Sequence, residues 1–147
     1  MRRWNGWGDD TIQYPLSPRA VAFVQDAVGI AIPGADVPLA DILATRPPSR
    51  LRHLPGRDLI RVDAAERLRH ARGQSLPDWV ALRSGRIPTF PDGVAYPLVP
   101  ADVARLLAYA TEVDALVIPY GGGTSVVGHI NPEPGERPVL TINMRRM

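Results

Sequence analysis

Between Val94 and Gly123 the chain reads strand, helix, strand and then three consecutive glycines. No other feature constrains the fold as strongly. "VAYPL" is a strand candidate. "PADVARLLAYATEV" follows it, with Val103, Leu106, Leu107 and Ala110 at i, i+3, i+4 and i+7, one apolar helical face. "ALVIP" is apolar, rich in β-branched residues and too short for a helix. This order predicts a βαβ unit with a parallel strand pair, and hence an α/β (α+β) fold. The glycines then stand at the C-terminal end of the second strand, where open α/β sheets bind ligands. A last strand candidate, "PVLTINM", alternates apolar and polar residues and is expected to form an unpaired edge, which makes a chain prone to aggregate.

Upstream the texture is helical. "SPRAVAFVQDAVG" has Ser17 as cap, Pro18 in the first turn and Gly29 as stop, with Val21, Phe23, Val24, Ala27 and Val28 giving an apolar face. "DAAERLRHARG" opens on Asp63 and Glu66 at capping-box spacing and stops at Gly73. "SLPDWVALRSG" runs from Ser75 to Gly85. Residues 30–57, rich in Pro and Arg, read as irregular. These helices predict a layer lying over the sheet. The division expected is a mostly helical region over residues 1–86 and a ligand-binding unit over residues 87–147.

The bulk numbers exclude several function classes. The chain has 147 residues and a formal net charge of +2, too small a surplus to argue for nucleic acid. It has no Cys, so disulfides, cysteine–metal sites and thiol catalysis are ruled out. No apolar run is long enough to span a membrane, and "MRRWNGWGDD" lacks the apolar segment of a secretory signal. A cytoplasmic location is the expectation.

The glycine loop fails both familiar phosphate motifs. GxGxxG needs glycine at position 126, which is Val126. The P-loop spacing is nearly met by Gly123 and Gly128, but His129 and Ile130 stand where Lys and Ser/Thr belong. Consecutive amides around glycines also form an anion-binding concavity that needs no Lys. Thr124 and Ser125 add hydroxyl donors. A plain glycine-rich surface turn is the competing reading.

His53, His70 and His129 lie in separate segments without metal-ligand spacing, so no metal site is expected. The Arg-rich stretch from Arg46 to Arg72 suits either an anionic ligand or, given Asp58, Asp63 and Glu66 among its arginines, a solvated helix face. Trp4 and Trp7 in "RRWNGWG" read as anchors for the N-terminus or as a binding platform.

Taken together, "FPDGVAYPLVPADVARLLAYA", "LVIPYGGGTSVVG" and "RPVLTINMRRM" resemble the start of the FAD-binding (PCMH-type) domain of the vanillyl-alcohol oxidase and p-cresol methylhydroxylase superfamily. "RRWNGWGD", "HARGQSLPDWVALRSGRIPTFPD" and "PYGGGTSVVG" resemble its alkyldihydroxyacetonephosphate synthase branch. The resemblance implies that Pro119, Tyr120, Gly121, Gly122, Gly123, Thr124 and Ser125 wrap the diphosphate of a non-covalently held FAD. It implies a small parallel subdomain, and a reaction in which a fatty alcohol replaces the acyl group of an acylated dihydroxyacetone phosphate. A small-molecule substrate and a homodimer go with it. Members of the family are much longer and carry their catalytic Tyr, His and Arg beyond the point matching Met147. The chain is therefore expected to be an N-terminal fragment, to hold no catalytic residue and to show no turnover alone. Two alternatives stand beside this: a sibling flavoprotein oxidising a 2-hydroxy acid, and a non-enzymatic binding module.

Overall fold

The computed structural model describes residues 3–30, 34, 36–55 and 59–147. Arg2 and Asp58, named above, lie outside these. Five helices and four strands are formed by the described residues: α1 (Pro18–Val28), α2 (Leu39–Thr45), β1 (Ile60–Arg61), α3 (Ala64–Arg69), α4 (Leu76–Ser84), β2 (Gly93–Ala95), α5 (Pro100–Glu112), β3 (Leu116–Tyr120) and β4 (Val139–Asn143). A 3-10 turn over Met144–Arg146 follows. The fold is mixed α/β around one four-stranded sheet in the order β1-β2-β4-β3. β4 runs parallel to both of its neighbours, and β1 is antiparallel to β2.

This order corrects two expectations. β2 and β3 are both parallel to the sheet direction but do not pair with each other, because β4 lies between them. "PVLTINM" is accordingly not an edge. Every residue of β4 is buried, and it bonds to a strand on each side. Its polar members, Thr141 and Asn143, are buried rather than solvated. The edges are β1 and β3, where Leu116 is half-exposed.

The helices form where the caps stand. Ser17 Oγ accepts from Ala20 N at 3.2 Å, and Gly29 follows α1 at φ 86°. Asp63 caps α3 through Glu66 N, and Ser75 and Asp78 form a reciprocal capping box on α4. Gly85 ends α4 at φ 70°, a left-handed conformation that glycine adopts without a Cβ clash. Asp102 Oδ2 accepts from Leu98 N and Val99 N ahead of α5. α3 stops at Arg69, short of Gly73. The span expected to be irregular holds α2, and the two-residue strand β1 carries too little pattern to be read.

Two cores hold the molecule. Leu106, Tyr109 and Ala110 of α5 pack with Ile60, Ala95, Ala115, Leu140 and Ile142 on one face of the sheet. Ile42, Leu68, Ala71, Leu82, Ile87 and Phe90 join α2, α3 and α4 in a second cluster, with Trp4 against it. α1 is the exception. Its apolar face forms as the spacing predicts, but no residue of α1 is buried, and Phe23 and Val28 are 73% and 76% exposed. The expected helical layer is therefore made by α2–α4, not by α1.

Candidate diphosphate-binding loop

β3 ends at Tyr120, and the glycine triplet leaves the sheet at that point. Pro119 and Tyr120 are thus the last strand residues, paired with Ile142 and Asn143. The Tyr120 ring is buried 4.4 Å from the His70 ring, so only its backbone faces the loop. Gly121 has open space where a Cβ would stand, and Gly122 would meet only Thr124 side-chain atoms at 3.7 Å and beyond. The positive φ is at Gly123, 72°. A left-handed residue within a turn can bring successive N–H groups toward one side. No backbone acceptor among the described residues takes the N–H of Gly122, Gly123 or Thr124. Gly121, Gly122 and Thr124 are exposed, and Ser125 is half-buried.

The return limb is clamped by the segment between α3 and α4. Gln74 N donates to Ser125 O at 2.6 Å. Gly73 N donates to Asn131 Oδ1 at 2.8 Å, and Asn131 Nδ2 donates to Asp78 Oδ1 at 2.7 Å. Asp78 Oδ2 meanwhile accepts from Ser75. One buried carboxylate therefore caps α4 and fixes the loop. Ser125 Oγ and His129 Nδ1 lie 3.1 Å apart, so His129 sits beside the loop rather than clear of it.

The N-terminal turn closes the other side. Arg3 N donates to Gly8 O at 2.9 Å, and Gly8 has φ 83°. The two tryptophans divide their work: Trp4 packs on the helical core, while Trp7 is 59% exposed. Gly6, Trp7 and Gly8 line a cavity of about 120 Å³ together with Gln74, Gly122 and Thr124. The "WNGWG" and "GGGTS" stretches, more than a hundred residues apart in sequence, therefore share one hollow.

Below the loop lies a polar cluster that the sequence did not disclose. His70 is buried, with Nδ1 2.8 Å from Glu66 O and Nε2 2.9 Å from Asn143 Nδ2. These bonds suit a neutral ring that donates from Nδ1 and accepts at Nε2. Glu66 does not close a capping box; its carboxylate accepts from the Tyr96 hydroxyl instead. Burial, reinforced by Glu66, pushes the Tyr96 phenol well above its ordinary range, so it stays a donor. His53 and His129 are remote from this cluster in sequence, and no group of three metal-ligating side chains occurs among the described residues.

No protein-family model matches the chain. It is 30% identical over 99% of its length to an alkyldihydroxyacetonephosphate synthase of Trypanosoma brucei brucei, covering 28% of that protein. It is 37% identical over 61% of its length to one of Dictyostelium discoideum, covering 15% of it. A crystal structure of alkyldihydroxyacetonephosphate synthase in space group P1 superposes on 99% of this chain with a TM-score of 0.79 at 26% identity, and 33% of that chain is covered. A second, in P212121, gives a TM-score of 0.80 at 25% identity. The chain thus spans about a third or less of the length of these relatives. Sequence and backbone agree over nearly all of its own length, and along that length the chain is similar to alkyldihydroxyacetonephosphate synthases.

Proposed function

We propose that residues 119–125 hold the diphosphate of a non-covalently bound FAD, in an enzyme of the alkylglycerone-phosphate synthase type. One observation carries the reading: the exposed Gly121 and Gly122, with room at their Cβ positions, lead into the buried, left-handed Gly123 at the C-terminal end of β3, and the amides of Gly122, Gly123 and Thr124 have no backbone acceptor among the described residues. Pro119 and Tyr120 fix where the turn begins, the backbone of Gly121, Gly122 and Gly123 donates, and Thr124 and Ser125 add hydroxyls. When bound, FAD would supply the ring chemistry for exchanging acyl for alkyl on dihydroxyacetone phosphate. That small-molecule substrate and that exchange belong to the whole protein in this reading. Residues 87–147 are the start of the cofactor domain, and residues 1–86 supply the Gly73–Asp78 clamp, the Trp7 wall and β1.

The test is a titration of the 147-residue chain with FAD, followed by flavin fluorescence, with ADP and riboflavin as competitors. ADP carries the diphosphate and riboflavin does not. Saturable binding displaced by ADP alone is the expected result. Displacement by riboflavin as strong as by ADP, or no saturable binding, overturns the assignment.

A further inference from the structure

The two N-terminal tryptophans have opposite surroundings. Trp4 packs against the helical core, while Trp7 is 59% exposed. Trp7 does not stand on a loose end. Arg3 N donates to Gly8 O at 2.9 Å, and Arg3 Nη2 donates to Ile12 O at 2.8 Å, so the turn that carries Trp7 is tied at its base and beyond it. Asn5 Nδ2 adds a bond to Asp36 Oδ2 at 3.0 Å. A ring held out on a fixed turn loses little freedom when a guest stacks on it.

A lone exposed aromatic is ordinary, but the place of this one is not. Trp7 lines the hollow of about 120 Å³ to which Gly122 and Thr124 of the glycine loop also belong. Gly6, Gly8 and Gln74 complete its wall. Both chain neighbours of Trp7 are therefore glycines, with no side chain to cover the indole. A Cβ on Gly8 would meet nothing within 4 Å, and one on Gly6 would meet only Arg3 Cδ at 3.5 Å. Gln74 Oε1 accepts from Trp79 Nε1 at 2.8 Å, which leaves the Nε2 donors as what this side chain can offer a guest.

The shared wall selects the guest. A ring seated against Gly122 and Thr124 lies close to whatever diphosphate the loop holds. In FAD the adenine stands one ribose from the diphosphate, while the flavin stands at the end of a longer ribityl chain. The hollow is small, and adenine has two fused rings where the flavin has three. Adenine offers a π face to an indole and ring nitrogens that accept from an amide. We propose, resting on the diphosphate reading of the glycine loop, that Trp7 is the stacking platform for the adenine of the dinucleotide, with Gln74 as a donor to the edge of that ring.

Calorimetric titration of the 147-residue chain with ADP and with inorganic diphosphate, repeated on Trp7→Ala and Trp7→Phe, tests it. Trp7 is exposed, so both variants should keep the parent melting temperature. ADP affinity should fall about tenfold to a hundredfold in Trp7→Ala, the usual effect of removing one aromatic ring from under a base, and largely return in Trp7→Phe. Inorganic diphosphate should bind parent and variant alike; the ratio between parent and variant cancels the different charges of the two ligands. ADP that binds Trp7→Ala as tightly as the parent overturns the platform and leaves the loop assignment standing. Equal losses for ADP and diphosphate make Trp7 a brace of the loop, and overturn it too. Binding of neither ligand by the parent overturns the loop assignment, and the platform with it. FMN, titrated in parallel, separates the two ring systems of FAD: a loss for FMN in Trp7→Ala with none for ADP seats the flavin there and overturns the adenine assignment.

Discussion

Gly73 and Ser125 meet backbone against backbone: a Cβ on Gly73 would stand 2.4 Å from the Ser125 carbonyl oxygen. The contact is with backbone on one side and close to the Asp78 carboxylate on the other, 3.2 Å away, so neither neighbour yields cheaply. Gly73→Ala should therefore push the return limb of the loop outward. The expected cost is about 1–3 kcal/mol, the usual range for overpacking. Urea denaturation measures it, and FAD affinity should fall in parallel. An alanine variant as stable as the parent would mean that the clamp is slack.

The glycine triplet makes unequal demands. Gly123→Val puts a β-branched residue at φ 72°, a strain of about 1–3 kcal/mol, and should weaken FAD binding at least tenfold. Gly122→Val carries no such strain, because Gly122 is not in the left-handed region and has room. It should leave the melting temperature unchanged and lose FAD only by filling the ligand's space. A fall in melting temperature at 122 but not at 123 would reverse the two roles.

How far this was legible depended on what each signal encodes. Ser17, Asp63, Ser75 and the glycines at 29 and 85 announce helix ends because caps satisfy backbone groups locally. The position of the loop after β3 was legible for the same reason. The place of β4 was not. Alternation in "PVLTINM" suits a half-buried strand, yet Thr141 and Asn143 are covered by the helical side, where Asn143 meets His70. Nor did amphipathicity say what covers α1; it marks an apolar face, not a partner. The Gly73–Asn131–Asp78 clamp spans more than fifty residues of sequence and leaves no periodic trace.

Asp92 ties acid sensitivity to the sheet. Burial works to raise its pKa, but the Arg50 guanidinium and the Val139 and Arg50 amides outweigh it and hold the carboxyl below its ordinary range. A lowered folded pKa contributes stability that is complete above the unfolded carboxylate value and is lost as pH falls through the folded one. Stability should then decline below about pH 4. Asp92→Asn should cost about 1–2 kcal/mol at neutral pH, since it weakens the bonds from the half-exposed Arg50 and disturbs the Val139 amide contact. It should also flatten that acid limb. Denaturation midpoints measured from pH 2 to 7 for both proteins check it; an unchanged acid limb in the variant would assign the sensitivity elsewhere.

The manner in which flavin is held can be read from one position. Thr124 stands directly after the glycines, and its hydroxyl cannot serve as the imidazole of a covalent flavin link. His129 is the imidazole within reach of the loop, but its Nδ1 faces Ser125 Oγ at 3.1 Å, on the return limb and beyond the left-handed Gly123. A ring engaged there through Nδ1 braces the return limb of the loop. FAD should therefore be dissociable, held by amides, hydroxyls and packing. Acid precipitation of the FAD-loaded chain is expected to leave the yellow colour in the supernatant, and His129→Ala should loosen binding only severalfold through Ser125. A fluorescent band that survives denaturing electrophoresis, and disappears in His129→Ala, would instead make His129 the point of attachment.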